Sequence, residues 1–153
     1  MTMFEHVGFP RRIRLVRVIV LLACLAAYLL PAHAAVATPT GPLIVTLDQL
    51  SNRDEGCQLM FVVNNQTGVS LERLQVETVL FSPENRVLAM TMLDFQTSPD
   101  SSLRVRNFAF PTTSCAQIGS VLFNAVGSCA PLDSAACEAS LQVGSHVDAE
   151  LIQ

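Results

Sequence analysis

Apolar and polar positions alternate along most of the chain after residue 42. Leu43 to Leu47 opens the pattern, and Asn52 to Gly56 interrupts it as a polar turn. In GCQLMFVVNN, period two places Cys57, Leu59, Phe61 and Val63 on one face. Met60 and Val62 give the other face an apolar character too, which predicts a central strand buried on both sides. Leu74, Val76, Thr78 and Leu80 alternate with Arg73, Gln75 and Glu77 as in a half-buried strand. Ser82-Pro83-Glu84-Asn85 reads as a tight turn, since Pro83 fixes the backbone angle of its second position. The return strand aligns Val87, Ala89, Thr91, Leu93 and Phe95. Leu103, Val105 and Asn107 then form a face opposed to Arg104 and Arg106, with Phe108 and Phe110 following. Ile118 to Val126 puts Val121, Phe123 and Ala125 in one row, and Leu141 to Leu151 gives a weaker final strand. No window carries an apolar stripe of helical period with caps. Leu71 to Leu80 contains helix formers, but Val76, Thr78 and Val79 favour a strand. About seven short strands separated by turns predict an all-β, immunoglobulin-like sandwich of two antiparallel sheets.

The first 34 residues break this rhythm. Arg11, Arg12, Arg14 and Arg17 precede an uncharged run of 13 residues, Val18 to Leu30. Pro31 ends the run, and Ala32-His33-Ala34 places small residues where a signal peptidase reads. As a helix the run reaches about 20 Å, short of the roughly 30 Å needed to span a bilayer. The expectation is a secretory signal peptide over 1–34, a helix cleaved between Ala34 and Ala35, with a flexible leader over 35–42 and the sandwich domain over 43–153. Membrane contact is then confined to the signal segment before cleavage. Arg11-Arg12 is a twin-arginine pair, but Arg14 stands where that motif has an apolar residue, so export of the unfolded chain remains the alternative. Leu21-Leu22-Ala23-Cys24 has the order of a lipobox, but the apolar run continues past Cys24.

Cleavage leaves 119 of the 153 residues, with five Arg against twelve acids and a net charge of −7. With no Lys and an acidic balance, nucleic-acid binding is not expected. Four cysteines remain: Cys57, Cys115, Cys129 and Cys137. An even number in an exported chain predicts two disulfides. Three pairings satisfy that count. The preferred one, Cys57–Cys115 with Cys129–Cys137, joins two strand starts and closes the turn-rich GSCAPLDSAAC segment. Neither the short Cys spacing of a structural zinc site nor a C-x-x-C redox motif is present, and no cofactor or metal is expected.

The stretch LMFVVNNQTGVSLERLQVETVLFSPENRV resembles the FxLYD type of immunoglobulin-like domain. In that family a strand ends in an Asn-containing loop, and the next ends in an aliphatic-aromatic pair before a turn. Asn64 and Asn65 stand at the loop, Leu80-Phe81-Ser82 at the place of Leu-Tyr-Asp, and Arg104 to Pro111 at the following strand. About 50 residues are covered. The whole chain is also similar to small bacterial exported proteins marked only by a twin-arginine signal. Both resemblances imply an extracytoplasmic β-sandwich of unknown partner, and neither implies catalytic residues or a substrate.

Individual polar residues add little chemistry. His146 and Asp148 share a strand face but lack a nucleophile on a constrained turn. Asp54-Glu55 offers too few oxygens for calcium. Arg104 and Arg106 lie on one strand face and could pair with a carboxylate or phosphate, but a solvated strand face is the preferred reading. Asn65-Gln66-Thr67 is a glycosylation sequon, relevant only in a eukaryotic secretory host. Sheet edges suggest another role, accepting a strand from an envelope partner, with Thr91, Thr97, Ser98 and the C-terminal strand as candidates. The expected function is therefore an exported, non-catalytic binding or structural accessory of the cell envelope. The alternatives are a thiol-disulfide redox factor using Cys129 and Cys137, or a surface-fibre subunit whose leader donates a strand.

Overall fold

The computed structural model describes residues 37–54 and 56–153. The predicted signal helix and its cleavage residues Ala32, Ala34 and Ala35 lie outside the described residues. Eight strands follow: β1 (Leu43–Arg53), β2 (Gly56–Asn65), β3 (Gln75–Phe81), β4 (Val87–Asp94), β5 (Ser102–Phe110), β6 (Ser120–Ser128), β7 (Leu141–Ser145) and β8 (Glu150–Ile152). A single 3₁₀ turn, Cys115–Gln117, precedes β6, and a short helix, α1 (Ser134–Ser140), separates β6 from β7.

The strands form two sheets of four, ordered β5-β2-β1-β7 and β4-β3-β6-β8. The all-β sandwich expected from the alternation is therefore present. β5-β2-β1 lie in one layer and β4-β3-β6 in the other. The sheets are not purely antiparallel, however. β7 runs parallel to β1, and β8 parallel to β6. The weak final strand of the sequence is thus two strands, one in each sheet, divided at residues 146–149.

Alternation explains the core. Leu43, Val45 and Leu47 of β1 lie beside Cys57, Leu59, Phe61 and Val63 of β2 on the inner face of one sheet, and all are essentially buried. Val76 and Leu80 of β3 with Val121 and Phe123 of β6 meet them from the other sheet. Between the layers Phe61 lies 5.5 Å from Phe95 and 5.8 Å from Phe123, and Phe95 lies 5.0 Å from Phe108. These edge and tilted contacts add about 0.5–1.5 kcal/mol per pair beyond area burial.

Several predicted faces need correction. β2 is buried on one side only, because Met60 and Val62 are half-exposed on the outer face of its sheet. On β5 the faces are reversed: Phe108 and Phe110 turn inward and carry Arg106 with them, leaving Leu103 60% and Val105 51% exposed. Of two register shifts between β3 and β6, the one at Asn124 places Val126 in the core and leaves Ala125 exposed. Thr40 to Pro42, expected as part of a flexible leader, is tied to the loop after β2: Thr40 N donates to Thr67 O, and Gln66 N donates to Pro42 O.

Candidate interaction site

Both disulfides join the preferred partners, Cys57–Cys115 and Cys129–Cys137. The first ties the start of β2 to the 3₁₀ turn after β5, rather than to a strand start. Gly56, just before Cys57, has φ 128°, and a Cβ there would collide with Phe110 O across the strand pair. The second bridge closes the segment that holds α1. Asp133 caps that helix, its Oδ1 accepting from Ala136 N at 2.8 Å. Cys129 and Cys137 are 2% and 0% exposed. Thiol–disulfide exchange requires a thiolate to reach a sulfur, so burial of this bridge weighs against the redox reading. Two bridges are at home in an oxidising compartment.

The polar candidates take up separate places. His146 pairs with Asp48, not Asp148: its Nδ1 lies 3.0 Å from Asp48 Oδ1, and both side chains are well exposed. Asp48 stands at the bulge in β1, and residues 146–149 are a bend rather than a strand. Asp54 sits in the turn before β2, and Glu55 lies outside the described residues. Among the described residues no group of three or more His, Cys, Asp and Glu is placed to hold a metal ion. A surface hollow of about 600 Å³ is lined by residues of α1 and β6, among them Phe123 and Glu138, together with Gln153.

Arg106 is a clamp rather than a solvated strand residue. Its Nε donates to Phe95 O at 2.7 Å and an Nη to Thr97 O at 2.9 Å, binding the segment that crosses from β4 to β5. Asn65 holds that crossing from within. Its Nδ2 donates to Val69 O and Ser98 O at 2.8 and 2.7 Å, and its Oδ1 accepts from Thr67 N and Thr67 Oγ1. Asn65 and Thr67 are both fully buried, so the sequon is closed to glycosylation of the folded chain. The sequence pattern marked Asn65 as a loop residue; nothing in it signalled that its amide would be buried and completely satisfied.

The sheet edges are the remaining candidates, and they differ. β7 and β8 have five and three residues. β5 has nine, but Arg104 and Arg106 stand along it, and charged side chains on an edge strand blunt it. β4 has eight residues and pairs only with β3. From Val87 to Leu93 it carries no charge and no Pro. Val87, Met90 and Met92 are 62%, 59% and 47% exposed. Met90 also begins an apolar row across the outer face of its sheet, paired in register through Val79 and Leu122 to Ile152. Methionine adapts its shape to a partner, which suits such a surface. Of the residues expected at a docking edge, Thr91 is exposed on β4. Ser98 is buried and bridged to Leu71, and the Thr97 carbonyl is engaged by Arg106. The C-terminal strand β8 is an edge, but a short one.

Among the described residues, no helix is long and apolar enough to cross a membrane. No family model, curated protein or solved structure matches this chain.

Proposed function

We propose that this chain is an exported, non-catalytic binding or structural module of the cell envelope, periplasmic or secreted, that engages a protein partner along β4. One observation carries the reading. The long uncharged edge of β4 is bare of the devices that blunt β5, β7 and β8, and its methionines stand exposed beside it. An edge of this kind accepts an extended segment through main-chain hydrogen bonds, with side-chain contacts supplying selectivity. Two disulfides and a basic, then apolar, N-terminal segment support export. Asn65 at the last position of β2 and Leu80-Phe81-Ser82 at the end of β3 support kinship with FxLYD-type domains.

Two measurements test this. Intact mass of the protein recovered from a bacterial envelope fraction should correspond to Ala35–Gln153 less four hydrogens. A photo-crosslinking amino acid in place of Met90 should give a discrete protein adduct in cells, whereas the same group in place of Leu103, equally exposed on β5, should not. Equal labelling from both sites, or from neither, would remove the assignment to β4.

A further inference from the structure

We infer that the hollow beside β6 is a second docking groove, which takes a short extended peptide segment carrying an apolar residue flanked by a basic one. It is separate from the β4 edge and does not depend on it.

The groove is a vacant strand position. β8 pairs with β6 only from Ser120 to Leu122. β6 continues to Ser128, and among the described residues no strand lies on that side of it beyond Leu122. The hollow of about 600 Å³ is lined by Phe123 to Val126 of β6 and by Ala135, Glu138 and Ala139 of α1. Gln153, the residue that follows β8, lines it too, so the space begins where the short strand ends. Main-chain polar groups alternate between the two sides of a strand, so this half of β6 turns some of them toward the gap. An apolar molecule would cover those groups without pairing them, which costs free energy. An extended backbone pairs them. At about 3.4 Å per residue, the stretch from Phe123 to Val126 matches roughly three or four residues of such a segment.

The lining also selects side chains. Val76, Phe123, Val126 and Leu141 are core residues, 0–6% exposed, and all four border the hollow. An apolar side chain placed there joins the core surface. The alanines of α1 leave it room. Cys129–Cys137 fastens α1 to the chain just beyond β6, so the groove is formed before anything enters it.

Charge decides the neighbour of that apolar residue. Glu138 is the one charged side chain in the lining, and it forms no ion pair among the described residues. Asn124, also in the lining, donates its Nδ2 to Glu77 Oε1, which brings a second carboxylate close by. No Arg borders the hollow to offset them. A basic residue next to the apolar one is the electrostatic complement.

Amide NMR of the isotope-labelled, disulfide-bonded chain tests this with blocked peptides. Acetyl-Arg-Val-Leu-Val-Arg-amide should bind with a dissociation constant of about 0.1–1 mM and shift Phe123–Val126 and Ala135–Ala139. Its acidic counterpart, with Glu in place of both Arg, should bind more weakly. Glu138→Gln should narrow that preference by about two- to fivefold. Ala139→Phe, at an exposed helix position that leaves the amide spectrum dispersed, should weaken binding by about tenfold or more. Peptides N-methylated at Leu or at the following Val remove donors on opposite sides of the segment, so one should lose binding and the other keep it. Equal behaviour of the two methylated peptides overturns strand pairing. The groove is overturned by an absence of shifts up to millimolar peptide, or by undiminished binding in Ala139→Phe. Shifts confined to Val87–Asp94 overturn it as well, while supporting the β4 edge.

Discussion

On one flank of the sandwich the chain passes from β7 to β8 through residues 146–149, linking the outer strand of one sheet to that of the other. Ser145 Oγ fastens this bend by donating to Ala149 O and accepting from Val147 N, and His146 N donates to Leu47 O. On the opposite flank β4 passes to β5 through 95–101, held by the Asn65 amide and the Arg106 guanidinium. Both crossings are pinned by hydrogen bonds to backbone carbonyls. They differ in what they leave beside them: strands of five and three residues on the first flank, of eight and nine on the second. Within the second flank β5 carries two arginines and β4 none. Pinning a crossing and guarding an edge are therefore separate tasks in this molecule, and only β4 is left unguarded at useful length.

Substitutions can test that separation. The largest loss is expected from Cys57→Ala/Cys115→Ala, which opens a bridge of sequence separation 58 and should cost about 4 kcal/mol by the chain-entropy relation. Asn65→Ala should follow, at about 2–4 kcal/mol, because it strips partners from several buried groups at the β4–β5 crossing. Cys129→Ala/Cys137→Ala, on the other flank, closes a separation of only 8 and should cost about 2.5 kcal/mol. All three are read from urea midpoints at constant slope. Arg106→Ala should cost about 1–2 kcal/mol and speed amide exchange at the crossing, and Arg106→Lys should not restore it, since a single ammonium cannot reproduce the fork on Phe95 O and Thr97 O. Met90→Lys, at an exposed position, should change stability by less than about 0.5 kcal/mol yet abolish association. If it destabilised as much as Arg106→Ala, the distinction between pinned crossing and free edge would be lost.

What could be read from residues alone follows the same division. Period two located β1, β2, β3 and β6, because each buries one face against a single large core. It failed where burial is uneven. β5 was turned over because Leu103 and Val105 look like core residues, and only the far end of that strand, Phe108 and Phe110, meets the opposite sheet. Bulges are silent in composition, so the switch from Ala125 to Val126 was invisible. Helix α1 has seven residues, too few for a periodic stripe, though Asp133 before Ser134-Ala135-Ala136 is a capping signal that could have flagged it. The parallel pairing of β7 and β8 depends on contacts distant in sequence. The docking edge remains a proposal. Its place on β4 required knowing which strands end up with a neighbour on one side only.

The sealed amide of Asn65 also bears on how the protein can be made. Oligosaccharyltransferases act on nascent, still extended chains, and Asn65-Gln66-Thr67 would be an acceptor during that interval. A glycan attached there has no room inside the finished sandwich, where the side chain is 0% exposed. Secretion through a eukaryotic pathway should therefore give a sugar-bearing, protease-sensitive product. The bacterial product should resist trypsin, and comparing digestion of the two preparations would reveal the difference.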